Sequence, residues 1–233
     1  MNPVISKTSD LKHRRITMLI YGEHGIGKTT LAKTVKVSSD DKLLYVAADP
    51  GQLALRDRDF VLMSPKDQGD KPMMTILEHA KATAYEWIVV DGIDALAKEV
   101  LRGEKAKSKD GRKAYGEMID KMEYWLESMR DLEGKNVLFI THMTSSQDDM
   151  GVTSHGPSMP SNSLKDSVPA LFDLVGCMRS MRTENGVERL IQFQPEAATG
   201  YVCKDRSGAL QSTEKPDITA ILAKIHNEEK ESA

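Results

Sequence analysis

The residues able to do chemistry gather first in one short run. Gly22, Glu23, His24, Gly25, Ile26, Gly27, Lys28 and Thr29 satisfy G-x-x-x-x-G-K-[ST] at every fixed position. The residue types explain why such a run handles phosphate. Glycine tolerates positive φ, so the chain can curl closely around an anion. N–H groups of the loop and of the helix start, with Thr30 closing the set, donate to a β-phosphate. Lys28 brings a positive charge to the β- and γ-phosphates, and the Thr29 hydroxyl can ligate Mg²⁺. ATP with Mg²⁺ is the expected ligand pair.

Such a loop needs a carboxylate to hold the hydration shell of the ion. Asp91 supplies one at the end of the apolar run Trp87-Ile88-Val89-Val90. Adjacent parallel strands end on the same sheet edge, so Asp91 is expected to face Thr29. Asp94 is a second candidate, whose ordinary role would be a helix N-cap. Hydrolysis also needs a group that orients or deprotonates water. Asp49 has the topological position for it at the tip of a second strand, although an Asp before Pro50 also simply makes a turn. Glu23, within the loop, is a further candidate base. His142 ends a fifth strand on the same edge. It could sense the γ-phosphate and relay its state to the following segment, or be satisfied by local hydrogen bonds.

The elements that must position these groups read as alternating strands and helices. Apolar runs at 16–21, 43–48, 59–63, 86–91 and 136–142 lack polar alternation, as strands buried on both faces do. Helical spacing occupies 29–37, 73–85, 93–101 and 115–132. Met118, Met122, Trp125 and Met129 form a stripe that should face the sheet. The later chain differs. Runs at 174–183 and 187–194 flank Glu184-Asn185-Gly186, a hairpin signal, and a third run follows at 199–204. A last amphipathic helix spans 216–227. Residues 143–164, rich in Ser, Met, Gly and Pro, read as a structureless loop. The expected fold class is α/β: a mainly parallel sheet flanked by helices on both faces, with antiparallel C-terminal strands. It would be a single domain over 1–233, with residues 1–15 as an extension and 228–233 as a frayed tail.

Composition narrows the function classes. The chain has 233 residues, 39% hydrophobic and 29% charged, with a net charge of −3. That is globular composition, with neither an apolar run of membrane-spanning length nor a signal-like N-terminus. Cys177 and Cys203 are far apart, and His13, His79, His155 and His226 show no ligand spacing, so no structural metal is expected. A reducing, cytoplasmic setting follows from that cysteine usage. The acidic total excludes a surface that is basic throughout, but not a local basic site.

The phosphate loop, WIVVDGID and NVLFITH occur in the order and rough spacing of RecA-like ATPase cores, which the chain resembles. YGEHGIGKTTLAKT, RKAYGEMIDKM, FITHM, PALFDLVG and KDRSGAL carry a closer resemblance. It is to phage-encoded core-only members of that superfamily, described as phage nucleotide-binding proteins or ATP-dependent single-strand annealing recombinases. The resemblance implies a P-loop fold of RecA type and ATP-dependent annealing or exchange of single-stranded DNA, inside a bacterial host cell. It implies single-stranded DNA, further copies of the chain in a ring or filament, and a single-strand-binding protein as partners, with no membrane.

In RecA-like cores, loops after the Mg²⁺ strand and after the next core strand face DNA. The first would be residues 101–113. Arg102, Lys105, Lys107, Lys109, Arg112 and Lys113 stand there against Glu104 and Asp110, a local net of +4 that could track a phosphate backbone or be an ordinary solvated charge run. The second would be residues 143–164, poor in bases and without aromatics. Lys204 and Arg206 correspond to a basic pair that reaches a neighbouring subunit's γ-phosphate, which would make hydrolysis depend on assembly. Asp49 stands where many RecA-like enzymes carry Glu, which argues against fast hydrolysis. Two alternatives follow: an ATP-gated adaptor resembling a helicase loader, and a small-molecule or nucleotide kinase.

Overall fold

The computed structural model describes residues 15–68, 71–184, 186–196 and 198–231. The expected extension at 1–15 therefore lies outside the described residues except for Arg15, and so do Asn185 of the expected turn and residues 232 and 233.

Five apolar runs become parallel strands: β1 (Thr17–Gly22), β2 (Leu43–Ala47), β3 (Val61–Met63), β4 (Trp87–Asp91) and β5 (Asn136–Gln147). A hairpin strand β6 (Thr153–Pro157) folds back on β5, and β7 (Leu174–Thr183) runs parallel to β1. Then come antiparallel strands: β8 (Gly186–Gln192) on β7, β9 (Lys204–Asp205) on β7, and β10 (Thr213–Glu214) on β8. The order across the sheet is β10-β8-β7-β1-β5-β4-β2-β3. This is a mainly parallel α/β sheet with antiparallel C-terminal strands, as expected.

Alternation along β1 shows why the strands read as continuous apolar runs. Met18 and Ile20 pack with Leu31 of α1 (Lys28–Leu31) and with Ile218, Ile221 and Ile225 of α6 (Ile218–Glu231). Leu19 and Tyr21 face the opposite layer of α2 (Pro72–Ala82), α3 (Ile93–Lys107), α4 (Gly111–Arg130) and α5 (Asn162–Leu171). Both faces of β1 are therefore covered by a helical layer. Met118, Met122, Trp125 and Met129 are all buried in that second layer, and Trp125 meets Phe139 of β5 edge-on. At the end of β1 the neighbouring strand comes too close for a side chain: a Cβ on Gly22 would lie 2.3 Å from the Met178 carbonyl oxygen.

Five expectations are corrected. The helix expected over 29–37 is the short α1 and a 3₁₀ turn at Ala32–Thr34. Thr34 ends it, because its hydroxyl donates back to Leu31 O while its Oγ1 and O accept from Ile218 N and the Thr219 hydroxyl at the start of α6. The basic stretch 101–113 is helical rather than an open loop. Helix α3 continues through Lys107, held by Glu99–Arg102 and Glu104–Lys107 pairs three apart. Only residues 108–110 connect it to α4, whose N-cap Asp110 accepts from Arg112 N and Lys113 N.

Residues 143–164 are a β-hairpin and a helix start rather than structureless. Hydroxyl pairs such as Ser146–Ser154 cross the hairpin, Asp148 caps its turn, and Ser161 caps α5. The run expected at 199–204 yields just the two-residue β9, and α6 runs on to Glu231. Among the described residues no helix is long and apolar enough to cross a membrane.

The Trp125 indole N–H donates to Met73 O at 2.7 Å, so this side chain joins α4, α2 and β5. Trp125→Ala should lower unfolding free energy by about 3–5 kcal/mol. A urea midpoint unchanged from wild type would show that this layer does not hold the sheet.

Candidate functional site

Parallel strands deliver their carboxyl ends to one edge, and the chemical residues collect there. The loop after β1 turns through Gly25 and Gly27, the latter at φ 104° as the residue before α1. Only glycine adopts that conformation freely, so α1 can begin directly on the loop. Lys28 and Thr29 are the first two residues of α1. The Lys28 ammonium folds back across the loop and donates to Gly22 O at 2.8 Å and Glu23 O at 2.7 Å. Burial lowers its pKa, opposed by the charges of Asp91, Asp94 and Asp49. Glu23, His24, Gly25 and Thr30 are exposed, while Ile26 packs on the layer with α1.

The Thr29 hydroxyl donates to Asp91 Oδ2 at 2.6 Å. The two strands concerned are not adjacent, contrary to the expectation: β5 lies between β1 and β4. Contact is made because α1 carries Thr29 sideways over the sheet edge. The Tyr45 hydroxyl, from β2, donates to the same Asp91 oxygen. Burial raises the Asp91 carboxyl pKa, and the bonds from Thr29 and Tyr45 pull it back. Burial raises the Tyr45 phenol as well, so it stays a donor. A hydroxyl and a carboxylate are hard oxygen donors, the kind Mg²⁺ takes together with water and phosphate oxygens, so the residues present fit that ion. Among the described residues, no group of three His, Cys, Asp or Glu side chains makes a protein-only metal site.

A second network adjoins the first. His142, on β5, has Nδ1 3.1 Å from Asp94 Oδ2 and Nε2 3.5 Å from Asp49 Oδ2. Its ring stacks on His24 of the phosphate loop, with centroids 3.9 Å apart and planes 27° apart. Asp94 is neither the carboxylate at Thr29 nor the N-cap of α3, which is Gly92. It is buried against Thr141 and His142. Burial alone would raise its pKa, but the His142 bond and charge, with Lys98 and Thr141, hold it below the ordinary value. Asp49 accordingly sits beside His142, with its backbone N–H 3.3 Å from Asp91 O.

The remaining sequence candidates lie elsewhere. Lys204 and Arg206 are near the amino end of β7, since β9 pairs Lys204 with Val175 and Asp205 with Leu174. The phosphate loop leaves the other end of β1, at Gly22, which pairs with Met178. Within the chain the two basic residues are engaged with the end of α5. Lys204 donates to Pro169 O and Ala170 O, and Arg206 donates to Ala170 O and lies 3.8 Å from Asp173. Arg102, Lys105, Lys107, Lys109, Arg112 and Lys113 are all exposed. Arg102 pairs with Glu99, Lys107 with Glu104, and Lys105 lies over the Tyr115 ring.

Sequence reasoning missed Tyr45 and the role of Asp94. Tyr45 reads as one more apolar position in a buried strand, and nothing local marks its hydroxyl. For Asp94 the available signal was spacing: three residues after Asp91, it lies at the second position of α3, beside the end of β5. Cys177 and Cys203 are free, with thiols that burial pushes up to about 12 and about 11, so neither is poised as a nucleophile.

A family model described as an AAA domain matches residues 14–207. No curated protein matches the sequence significantly. Among solved structures, the chain is similar to a KaiC-like protein from the hyperthermophilic archaeon Pyrococcus horikoshii OT3. That protein is 16% identical over 81% of this chain and 82% of its own, with a TM-score of 0.45. It is also similar to the flagellar accessory protein FlaH from Methanocaldococcus jannaschii, at 11% identity over 85% and 83%, with a TM-score of 0.45.

Because burial disfavours the charged form of Asp91, its ionisation works against the fold. Stability should fall as pH rises from the unfolded carboxylate value of about 3.9 through the raised folded value. Asp91→Asn removes that penalty and should melt above wild type at pH 7. Tyr45→Phe deletes a bond to the charged form, so the Asp91 pKa should climb further and the fall in stability extend to higher pH. Thermal melts across pH 4–8 read both shifts, and an Asp91→Asn protein that melts below wild type at pH 7 contradicts them.

Proposed function

Since the chain belongs to the AAA domain family and is a P-loop ATPase, we propose that it hydrolyses ATP with Mg²⁺ and couples this to single-stranded DNA. The observation that carries the nucleotide half is the Thr29–Asp91 contact at 2.6 Å, with the Lys28 ammonium lying across the loop. Together they place a cation, a hydroxyl and a carboxylate around the glycine turn. When bound there, Mg²⁺ would neutralise developing charge on the phosphoryl oxygens. Lys28 would exchange its two carbonyl bonds for phosphate oxygens. Asp49, held by His142 at the tip of β2, has the position to orient water. His142 would register the loop's occupancy through His24.

The DNA half rests on the resemblance and on the exposed bases of 102–113, and annealing or exchange in phage recombination is the activity the resemblance implies. Two acids temper that surface, because Glu99 and Glu104 occupy Arg102 and Lys107. Lys105, Lys109, Arg112 and Lys113 would then supply most of the contact with the strand. Lys204 and Arg206 would act on a neighbouring protomer's nucleotide only after leaving the end of α5, so assembly would regulate hydrolysis.

Three measurements separate the parts. Lys28→Ala should reduce ATP turnover by on the order of 100-fold or more. Turnover should rise with single-stranded DNA and, per protomer, with protein concentration. Changing Lys105, Lys109 and Arg112 together to Ala should weaken oligonucleotide binding and lower the slope of log affinity against log salt by about 2. An unchanged slope removes the basic segment from the proposal. ATP binding without DNA-stimulated turnover favours the ATP-gated adaptor instead, and phosphate transfer to an added nucleotide favours the kinase.

A further inference from the structure

The network described so far touches one side of the phosphate loop. Thr29 meets Asp91 of β4, and His24 meets His142 of β5. Both strands lie to the same side of β1 in the sheet order, while β7, β8 and β10 lie to the other. A nucleotide is long compared with one loop. If its terminal phosphates sit by Lys28 and Thr29, the α-phosphate, ribose and base must leave toward β7 and β8, the side away from the carboxylates.

Among the cations on that side, Arg189 is the one placed at the loop. Arg189 of β8 pairs with Ser180 of β7, two residues past the pairing of Met178 with Gly22. At about 3.3 Å per residue, that is about 7 Å beyond the end of β1, the level of the loop itself. Strand alternation also sets its face. Ile191, two residues on, is buried with Leu31, Ala32 and Met178 in the layer that includes α1. Arg189 therefore points to the α1 face, one step beyond the last buried residue. Its reach is explicit: Nη1 lies 3.3 Å and Cζ 3.7 Å from where a Cβ on Gly27 would stand, with Met178 Cε beside them at 3.5 Å. Gly27 is the residue at which the loop becomes α1. A guanidinium is thus laid against the glycine that lets the backbone approach phosphate.

The geometry points to Arg189 as the ligand of the α-phosphate of a bound nucleoside di- or triphosphate. A guanidinium offers paired N–H donors whose geometry matches phosphate oxygens. This inference rests on the nucleotide reading of the loop and deepens it. Lys28 and Thr29 serve the β- and γ-phosphates from one side, and Arg189 the α-phosphate from the other. Because ATP and ADP share the α-phosphate, Arg189 contributes to holding both, unlike a cation that acts only when the γ-phosphate is transferred. The ordinary reading is an exposed strand residue resting its stem on Gly27, and affinity for ADP separates the two.

The test measures ADP affinity by titration with a fluorescent ADP analogue, beside the KM for ATP. Wild type, Arg189→Ala, Arg189→Lys and Lys28→Ala are compared, each confirmed folded by its melting curve. Arg189→Ala should weaken ADP binding roughly 10- to 100-fold, the scale of a charged hydrogen bond to phosphate, and raise the KM for ATP by a similar factor. Arg189→Lys should recover part of the loss by retaining the charge. ADP affinity that Lys28→Ala weakens and Arg189→Ala leaves intact overturns this inference and spares the nucleotide site. A loss in Arg189→Ala confined to turnover, with ADP affinity unchanged, overturns it as well. Wild-type protein that binds neither nucleotide overturns the site and the inference together.

Discussion

A carboxylate buried at the end of a parallel strand resists ionisation unless it is given partners, and the site is organised around meeting that demand at Asp91. Its side chain accepts from Thr29 and Tyr45, and its carbonyl accepts from Ala48 N and Asp49 N. These partners come from α1, from β2 and from the turn after β2. Asp91 therefore ties the glycine-rich loop, β2 and the Asp49 turn together at one sheet edge. Burial raises its pKa even with these bonds in place, so its ionisation works against the fold.

The position of β5 decides what else reaches the loop. Because β5 separates β1 from β4, the residue at its sheet edge, His142, stands between the glycine turn and the acidic cluster. Asp94 bonds its Nδ1 and Asp49 lies 3.5 Å from its Nε2, which leaves its face to stack on His24. The same strand then continues past the sheet into the hairpin with β6, and Ser158 N bonds back to His142 O. Contact at the phosphate loop and the set of the hairpin thus share one continuous stretch of backbone. On the far side of β1, the parallel strand β7 and its antiparallel partner β8 bring Met178 and Arg189 against Gly27. The loop is gripped from both flanks by elements distant in sequence.

The legible and illegible parts of the chain divide by physical cause. Apolar runs such as 87–91 and 136–142 announced their strands because both faces are covered and no polar alternation is needed. The stripe of Met118, Met122, Trp125 and Met129 announced its buried face through helical spacing. By contrast, the β5–β6 hairpin is built from Ser, Thr, Gln and His that pair with each other in solvent, so it left no hydrophobic signal and read as a loop. The helix through 101–107 was cut short because charged residues on an exposed face look alike in a helix and in a loop. Its continuation depends on Glu104 meeting Lys107 and Lys121, the latter on another helix.

The sequence by itself determined the phosphate loop, the carboxylate that follows an apolar strand, and the alternation that makes a mainly parallel sheet. Those are local properties: glycine at positive φ, charge at fixed spacing, and burial on two faces. Only the tertiary structure decided that β5 lies between β1 and β4, that Tyr45 and Thr29 share one oxygen of Asp91, that His24 stacks on His142, and that Arg189 reaches Gly27. Each of these joins residues far apart in the chain. Their contact is set by strand order and by where helices cross the sheet edge, which residue type and spacing alone do not encode.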